Sequence, residues 1–154
     1  MSEVLFYHLE RRGLEDILPG LLERTRERGW RALVRTGSAE RLAALDTHLW
    51  TYTEQGFLAH GTAADGHASR QPVFLTTEDE NPNRAEVLFL VDGAMDASWE
   101  KPETKSLTRI ALLFDGGDPN MVTKAREAWK AAKGAGHEVT YWKESPSGKF
   151  EKQG

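Results

Sequence analysis

Six short apolar runs recur along the chain, and longer segments between them carry apolar residues at every third or fourth position. The runs are residues 4–9, Ala32–Thr36, Val73–Thr76, Val87–Val91, 110–114 and 138–142. Because they are rich in Val, Leu and Phe, they predict β-strands. Several are apolar on both faces, which is typical of central strands in a parallel sheet that helices cover. Residues 57–61 (FLAHG) are a weaker candidate for a further strand.

Two of the intervening segments predict amphipathic helices that would cover the sheet. Residues 16–28 form the first, with Pro19 tolerated only in its first turn. Its predicted inward residues are Leu18, Leu21, Leu22 and Thr25. Residues 39–50 form the second, with Ser38 as the N-cap.

A third helix, at residues 119–136, has the clearest end signals in the chain. Asp118 is the predicted N-cap and Pro119 the first helical residue, while Gly134 and Gly136 would end the helix. A stripe of small apolar residues runs along one side and is expected to pack on the sheet. Its members are Val122, Ala125, Ala128, Ala132 and Ala135.

A second stripe on the same helix is basic and contains an indole. Arg126, Trp129, Lys130 and Lys133 occupy positions i, i+3, i+4 and i+7, and so share one side. A large aromatic side chain among three cations requires an explanation. One interpretation is a binding surface for an anionic partner; the other is an indole at the edge of the core beside ordinary solvated cations.

The alternation of strands and helices predicts a single α/β domain with a mostly parallel, doubly wound sheet and helices on both faces. Residues 60–72 and 78–86 are rich in turn-forming residues and predict surface loops. Residues 97–104 predict a short helical segment that Pro102 interrupts. We expect the domain to span residues 1–143, because residues 144–154 have too little apolar content to pack and predict a flexible tail.

Composition narrows the functional classes. A chain of 154 residues can bury about 70% of its unfolded surface without crosslinks, and it contains no cysteine. With no apolar run of membrane-spanning length and no secretory leader, a cytoplasmic protein is expected. The formal charge of -4 argues against the class of proteins that bind nucleic acid over their whole surface.

The charge is unevenly placed along the chain. From Pro119 onward, seven Lys or Arg residues face four acids, whereas thirteen face twenty acids before it. The basic helix therefore lies in a locally cationic part of an acidic protein. Such a patch suits an acidic peptide better than a long polyanion.

Motifs for enzymatic or nucleotide chemistry are weak. The turn after the first strand lacks a G-x-G-x-x-G sequence, and no G-x-x-x-x-G-K-[ST] loop is present. Asp115 and Asp118 flank a turn between a strand and a helix, where they could hold a divalent metal or, more simply, shape the turn and cap the helix. The histidines lack metal-site spacing, so no catalytic residue, cofactor or metal is predicted.

Several longer segments together resemble the chi subunit family of bacterial DNA polymerase III. They are GWRALVRTGSAERLAALDTHLWTY (29–52), FLAHG (57–61), QPVFLTTEDENPNRAEVLFLVDGA (71–94) and AREAWKAAKGAGHEVTYW (125–142). A second helix ending in Trp, followed by DENPN, an apolar strand and DGA, is a specific combination.

The resemblance implies a non-catalytic accessory subunit of the replicase with a Rossmann-like sheet that binds no nucleotide. Chi proteins connect the clamp loader, through the psi subunit, to single-stranded-DNA-binding protein. They hold the acidic C-terminal tail of that protein, which ends in an apolar residue and its free carboxylate. The tail-binding Arg, aromatic residue and Lys of the family fall on Arg126, Trp129 and Lys130, and Lys133 extends the same face. Trp129 stands where the family also uses Tyr, and Asp115 replaces an apolar residue of some relatives.

Two functional hypotheses follow from these observations. The first is a binding module that couples single-stranded-DNA-binding protein to the polymerase and meets DNA only indirectly. The second is a small α/β enzyme or nucleotide-binding protein that uses the turn from Asp115 to Asp118.

Overall fold

A seven-stranded sheet forms the centre of the computed structural model, which describes residues 2–51 and 59–153. The strands are β1 Glu3–Leu9, β2 Ala32–Thr36, β3 Val73–Thr76, β4 Val87–Val91, β5 Arg109–Asp115, β6 Glu138–Glu144 and β7 Phe150–Gln153. Their order across the sheet is β3-β2-β4-β5-β1-β6-β7. All neighbouring pairs are parallel except β6 and β7. The predicted doubly wound α/β fold is confirmed.

Helices cover both faces of this sheet. They are α1 Leu14–Glu27, α2 Ala39–Thr51, α3 Pro102–Lys105 and α4 Pro119–Gly134, with two short 3-10 turns at Ala63–Asp65 and Ala68–Arg70. Apolar residues of α1 and α2 share one buried cluster with one side of the strands, and those of α4 share a second cluster with the other side. The core therefore consists of two apolar layers separated by the sheet.

The six predicted strands are all present, and β1, β5 and β6 are longer than their apolar runs. The added residues lie at the strand ends and are polar or charged, so a prediction based on apolar runs does not include them. Residues 57 and 58 of the weaker candidate lie outside the described residues. Gly61, at its end, forms an isolated parallel bridge with Phe74 of β3.

Helix α1 differs from its prediction at its start. It begins at Leu14, so Pro19 lies in the second turn and not in the first. Proline has no N–H to donate to the carbonyl of Glu15 four residues earlier. His48 of α2 compensates, because its Nε2 lies 2.8 Å from that carbonyl oxygen. Leu21, predicted to be inward, is only partly buried, whereas Leu14 is buried.

The other helix predictions are largely confirmed. Ser38 caps α2, since its Oγ accepts a hydrogen bond from the N–H of Arg41 at 3.2 Å. The predicted segment at 97–104 is helical only over Pro102–Lys105. Proline suits the first turn of a helix and not its interior, so α3 starts at Pro102.

The predicted flexible tail requires correction. Residues 150–153 form β7, which pairs in antiparallel fashion with the outer edge of β6 after a turn at residues 145–149. The aromatic ring of Phe150 packs edge-on against Tyr7, with 5.1 Å between ring centroids. One aromatic anchor and a free sheet edge therefore suffice to order a segment of low apolar content. None of the helices in the described parts of the chain could cross a membrane.

Candidate functional site

Helix α4 begins at its predicted cap but ends at Gly134, two residues earlier than predicted, so of the two predicted terminators only Gly136 lies beyond the helix. The Oδ1 of Asp118 accepts hydrogen bonds from the N–H groups of Asn120 (3.0 Å) and Met121 (3.4 Å). Pro119 is the first helical residue. Ala135 is the C-cap, and Gly136 follows with a φ of 90°, a left-handed conformation that glycine adopts without strain. The direction of the helix over the sheet is thus well defined.

The small-residue stripe of α4 faces the sheet as predicted. Ala125, Ala128 and Ala132 are buried on the helix, Ala135 is buried just beyond it, and Val122 is partly buried. Small side chains allow the helix backbone to lie close to β5, β6 and β1. The opposite side of α4 is consequently directed outward.

Trp129 lies between these two sides. It is partly buried, and its ring meets Phe6 of β1 edge-on at 5.4 Å and Tyr141 of β6 at 6.0 Å. The Nζ of Lys133 lies 5.6 Å from the centre of the Trp129 ring, within the range of a cation–π interaction. Trp129 is therefore an edge residue of the core and a partly accessible aromatic surface at once.

The other two basic residues of the stripe point into solvent. Arg126 and Lys130 are exposed, and neither side chain makes a hydrogen bond or ion pair with another residue in the described parts of the chain. Surface cations without internal acidic partners keep their full charge available for an external anion. The structure thus places all four predicted residues around one surface, which we call the basic face of α4 (Arg126, Trp129, Lys130, Lys133).

The side chain of Tyr141 on strand β6 adds an aromatic surface beside the basic face of α4. The sequence did not reveal this neighbour. The Tyr141 hydroxyl contacts Nδ1 of His8, and Nε2 of His8 lies 2.8 Å from the carboxylate of Glu10. Burial raises the pKa of Tyr141, and the nearby charge of Arg126 opposes that rise. The alternation Val139, Tyr141 along β6 was visible in the sequence. Only the pairing of β6 with β1, however, brings Tyr141 beside α4.

The turn from Asp115 to Asp118 has a structural role. The Oδ1 of Asp115 accepts a hydrogen bond from the N–H of Gly117 at 2.8 Å, and Asp118 caps α4. Within residues 2–51 and 59–153, no group of three or more Asp, Glu or His side chains is arranged to hold a metal ion. The two carboxylates form a turn and a cap in this structure.

The topological switch point of the sheet lies between β1 and β5. The chain leaves β1 through α1 on one face and leaves β5 through α4 on the other, so a crevice opens at their carboxyl ends. In doubly wound proteins this crevice often binds phosphate through N–H groups of the first β–α turn.

Here an internal carboxylate meets those N–H groups. Glu144, a buried residue of β6, accepts hydrogen bonds at Oε1 from the backbone N–H groups of Glu10, Arg11 and Arg12 at 2.8–3.2 Å. Its Oε2 accepts from Nε of Arg12 at 2.7 Å. Burial alone would raise the pKa of Glu144, but these hydrogen bonds outweigh burial and lower the pKa to about 2. The carboxylate of Glu144 thus occupies the position in the turn after β1 where an external anion would bind.

Comparison with known proteins identifies the family. The family model described as DNA polymerase III chi subunit, HolC, matches residues 1–140 of the chain. The chain belongs to the chi subunit family of DNA polymerase III. A probable DNA polymerase III subunit chi from Rickettsia prowazekii (strain Madrid E) is 28% identical over 117 residues, which cover 75% of this chain and 71% of that protein.

Membership in the chi family assigns the chain to the subunits of the polymerase that replicates DNA. The matched region includes α4 with all four residues of the basic face. Tyr141, Glu144 and β7 lie beyond residue 140, so the sheet edge of this chain extends past the part of the chi family that the match covers.

Proposed function

We propose that the protein is a non-catalytic accessory subunit that links the clamp-loader side of DNA polymerase III to single-stranded-DNA-binding protein. It would do so by holding the acidic C-terminal tail of that protein on the basic face of α4. The observation that carries the proposal is the pairing of two exposed cations without internal partners, Arg126 and Lys130, with the partly exposed ring of Trp129. The basic face of α4 itself would then contact DNA only through the bound partner.

Each side chain of the basic face has a distinct part in this proposal. The planar guanidinium of Arg126 can take the terminal carboxylate of the tail in a two-pronged hydrogen bond. Trp129 offers an apolar wall to the last side chain of the tail, and Tyr141 extends this wall. Lys130 and Lys133 add positive charge for acidic residues farther upstream. Recognition of both a free carboxylate and an apolar side chain would distinguish the tail from other acidic peptides.

The link to the clamp loader, through psi or an equivalent subunit, requires a second surface. Trp50, at the end of α2, is 51% exposed, and α2 covers the face of the sheet opposite α4. An exposed indole is typical of protein interfaces. We therefore place the second partner near Trp50. Loss of co-purification with the clamp-loader subunits in Trp50→Ala would support this placement, and unchanged recovery would contradict it.

A second function as a nucleotide-binding protein or enzyme is not favoured. Asp115 and Asp118 hydrogen-bond to backbone N–H groups of their own turn, and the Glu144 carboxylate occupies the turn after β1. Because the replicase acts on the chromosome, we expect the protein to work in the cytoplasm.

The main test is a titration of the whole protein with a fluorescent acidic peptide that ends in an apolar residue and a free carboxylate. The matched control is the same peptide with an amidated C-terminus. We expect the amide to bind about tenfold more weakly or worse, because it removes a charge-assisted hydrogen bond. Equal binding of the two peptides would show that the terminal carboxylate is not recognised and would overturn the proposed mode of binding.

A further inference from the structure

A groove lies on the face of the sheet opposite α4, between α1 and the strands β1, β5, β6 and β7. It consists of two cavities, of about 640 and 210 Å³, that adjoin because both are lined by Tyr7, Leu21, Arg24 and Arg109. We call it the α1-side groove. Helix α1 packs mainly over β2 and β5, and α2 packs mainly over β2 and β3, so the part of the sheet formed by β1, β6 and β7 lies beside α1 and not beneath it.

Strand register explains the aromatic floor of the groove. Tyr7 pairs with Trp142 across β1 and β6, and Glu144 pairs with Phe150 across β6 and β7. The side chains of Tyr7, Trp142 and Phe150 therefore project from the same face. The Nε1 of Trp142 donates to Oγ1 of Thr140 at 3.0 Å, which orients the indole along its own strand. Trp30 lines the far end of the groove.

Basic residues from separate parts of the sequence line the same groove. The guanidinium carbons of Arg28 and Arg109 lie 5.2 and 5.7 Å from the centre of the Trp30 ring. Arg24 on α1 and Lys149 in the turn before β7 make no side-chain hydrogen bond or ion pair with the described residues. Arg12, also in the lining, is engaged with Glu144.

Acidic residues do not balance this charge. The groove contains two carboxylates, of which Glu3 pairs with Arg109 at 3.2 Å and Asp16 accepts from the N–H of Gly13. Burial raises the pKa of Tyr7. The charge of Arg109 opposes that rise, Glu3 adds to it, and Arg24 and Arg28 oppose it further, so all three cations act near the Tyr7 hydroxyl group. The local field therefore favours a polyanion, although the whole chain is acidic.

We propose that the α1-side groove binds single-stranded nucleic acid. Guanidinium and ammonium groups along the groove would contact successive phosphates, while the partly exposed rings of Tyr7, Trp142 and Phe150 offer surfaces on which unpaired bases stack. Duplex DNA keeps its bases stacked internally and could use only the cations. An acidic peptide could also use the cations, but a tail with one apolar end residue would cover a single ring, whereas successive unpaired bases can cover all three.

The contact is weak on its own, because no more than about four phosphates can be neutralised at once. It becomes useful when the chain is already held near single-stranded DNA, since tethering raises the effective concentration of the second contact. The groove and the basic face of α4 lie on opposite faces of the sheet, so the two contacts do not compete for space.

The test is fluorescence anisotropy of a labelled oligothymidylate with the full chain at low and high salt. We expect binding near or weaker than micromolar at low salt, with affinity falling as salt rises at a logarithmic slope of about -2 to -3. Arg24→Glu and Lys149→Glu, on different elements, should each weaken binding by about tenfold and make the slope shallower. Arg70→Glu is the matched control, because Arg70 is exposed, lies outside the groove and undergoes the same change of charge.

Each outcome separates this inference from the proposed function. Arg126→Ala should leave oligonucleotide binding unchanged, and Arg24→Glu should leave tail-peptide binding unchanged. Absence of binding at about 100 µM protein in low salt, or equal losses in Arg24→Glu and Arg70→Glu, would overturn the inference. A third result would also overturn the inference: the protein binds an acidic peptide but not the oligonucleotide, and Arg24→Glu abolishes the peptide binding. The groove would then be a peptide site.

Discussion

At the scale of single residues, Arg126 and Trp129 illustrate how one helix face can combine two kinds of interaction. Arg126 extends into solvent, and its charge reaches the hydroxyl group of Tyr141. The ring of Trp129 contacts Phe6 and Tyr141 on its inner side and Lys133 on its outer side. Substitution of the cations should therefore change binding alone, whereas substitution of the indole should change both binding and stability.

Arg126→Ala should weaken binding of the acidic tail peptide by roughly ten- to a hundredfold, because it removes a charge-assisted hydrogen bond worth about 1.5–3 kcal/mol. Lys130→Ala should lose less, since an exposed ammonium contributes mainly screened attraction. Peptide titration at low and high salt measures both effects, with Arg70→Ala as the control for loss of an exposed arginine. If Arg126→Ala and Lys130→Ala both bind like the parent, the basic face is not the site.

Trp129→Ala should reduce peptide binding with little dependence on salt, because the lost contact is apolar. If the ring faced only solvent, this change would leave the stability of the fold unchanged. The contacts with Phe6 and Tyr141 instead predict a loss of about 1–3 kcal/mol in the free energy of unfolding. Urea unfolding measures the loss, and Trp129→Tyr should recover much of both properties. An unchanged unfolding midpoint in Trp129→Ala would mean that the ring is not part of the core.

At the scale of elements, strand β6 connects the two ends of the chain. Its outer neighbour β7 comes from the last residues, and its inner neighbour β1 from the first. Glu144 at the end of β6 reaches across to the loop between β1 and α1, where it accepts three backbone hydrogen bonds and one from Arg12. A single carboxylate thus holds the loop that directs α1 over the sheet.

This carboxylate should make stability depend on pH in the acidic range. The folded pKa of Glu144 is lowered from 4.5 to about 2, so its charge stabilises the fold fully above pH 4.5, and this contribution disappears as the pH falls toward 2. The contribution at neutral pH is about 3 kcal/mol. Glu144→Gln should unfold more easily at pH 7, and the difference from the parent should shrink between pH 4.5 and 2. A difference that stays constant across this range would contradict the assignment.

At the scale of the whole molecule, the distribution of charge and the filled crevice point to a protein that binds other macromolecules. The basic face of α4 and the α1-side groove lie on opposite faces of the sheet, although the chain as a whole carries a formal charge of -4. The position at which related folds bind phosphate is occupied by Glu144.

The purified protein should therefore neither bind nor hydrolyse nucleotides. Calorimetric titration with ATP and with NAD, each with and without magnesium, should give no saturable heat. Phosphate release from ATP should remain at the level of a buffer blank. Saturable heat in the micromolar range would contradict the proposed function as a binding module and would direct attention back to the turn from Asp115 to Asp118.

The sequence by itself determined the elements that depend on local pattern. The six apolar runs, the caps of α4 and the stripe of Arg126, Trp129, Lys130 and Lys133 follow from periodicity and end signals, which act within a few residues. The roles of Asp115 and Asp118 in their turn were likewise local. The family could be identified for the same reason, since its motifs are continuous segments of the chain.

Tertiary structure decided what depends on residues far apart in the sequence. Tyr141 joins the basic face only because β6 pairs with β1, and Glu144 meets the loop at residues 10–12 for the same reason. The α1-side groove gathers Arg24, Arg109 and Lys149 from three separate elements. Strand β7 forms although its own sequence is mostly polar, because the edge of β6 supplies hydrogen bonds and Tyr7 supplies a surface for Phe150. Strand pairing and packing provide these partners, and local periodicity carries no information about them.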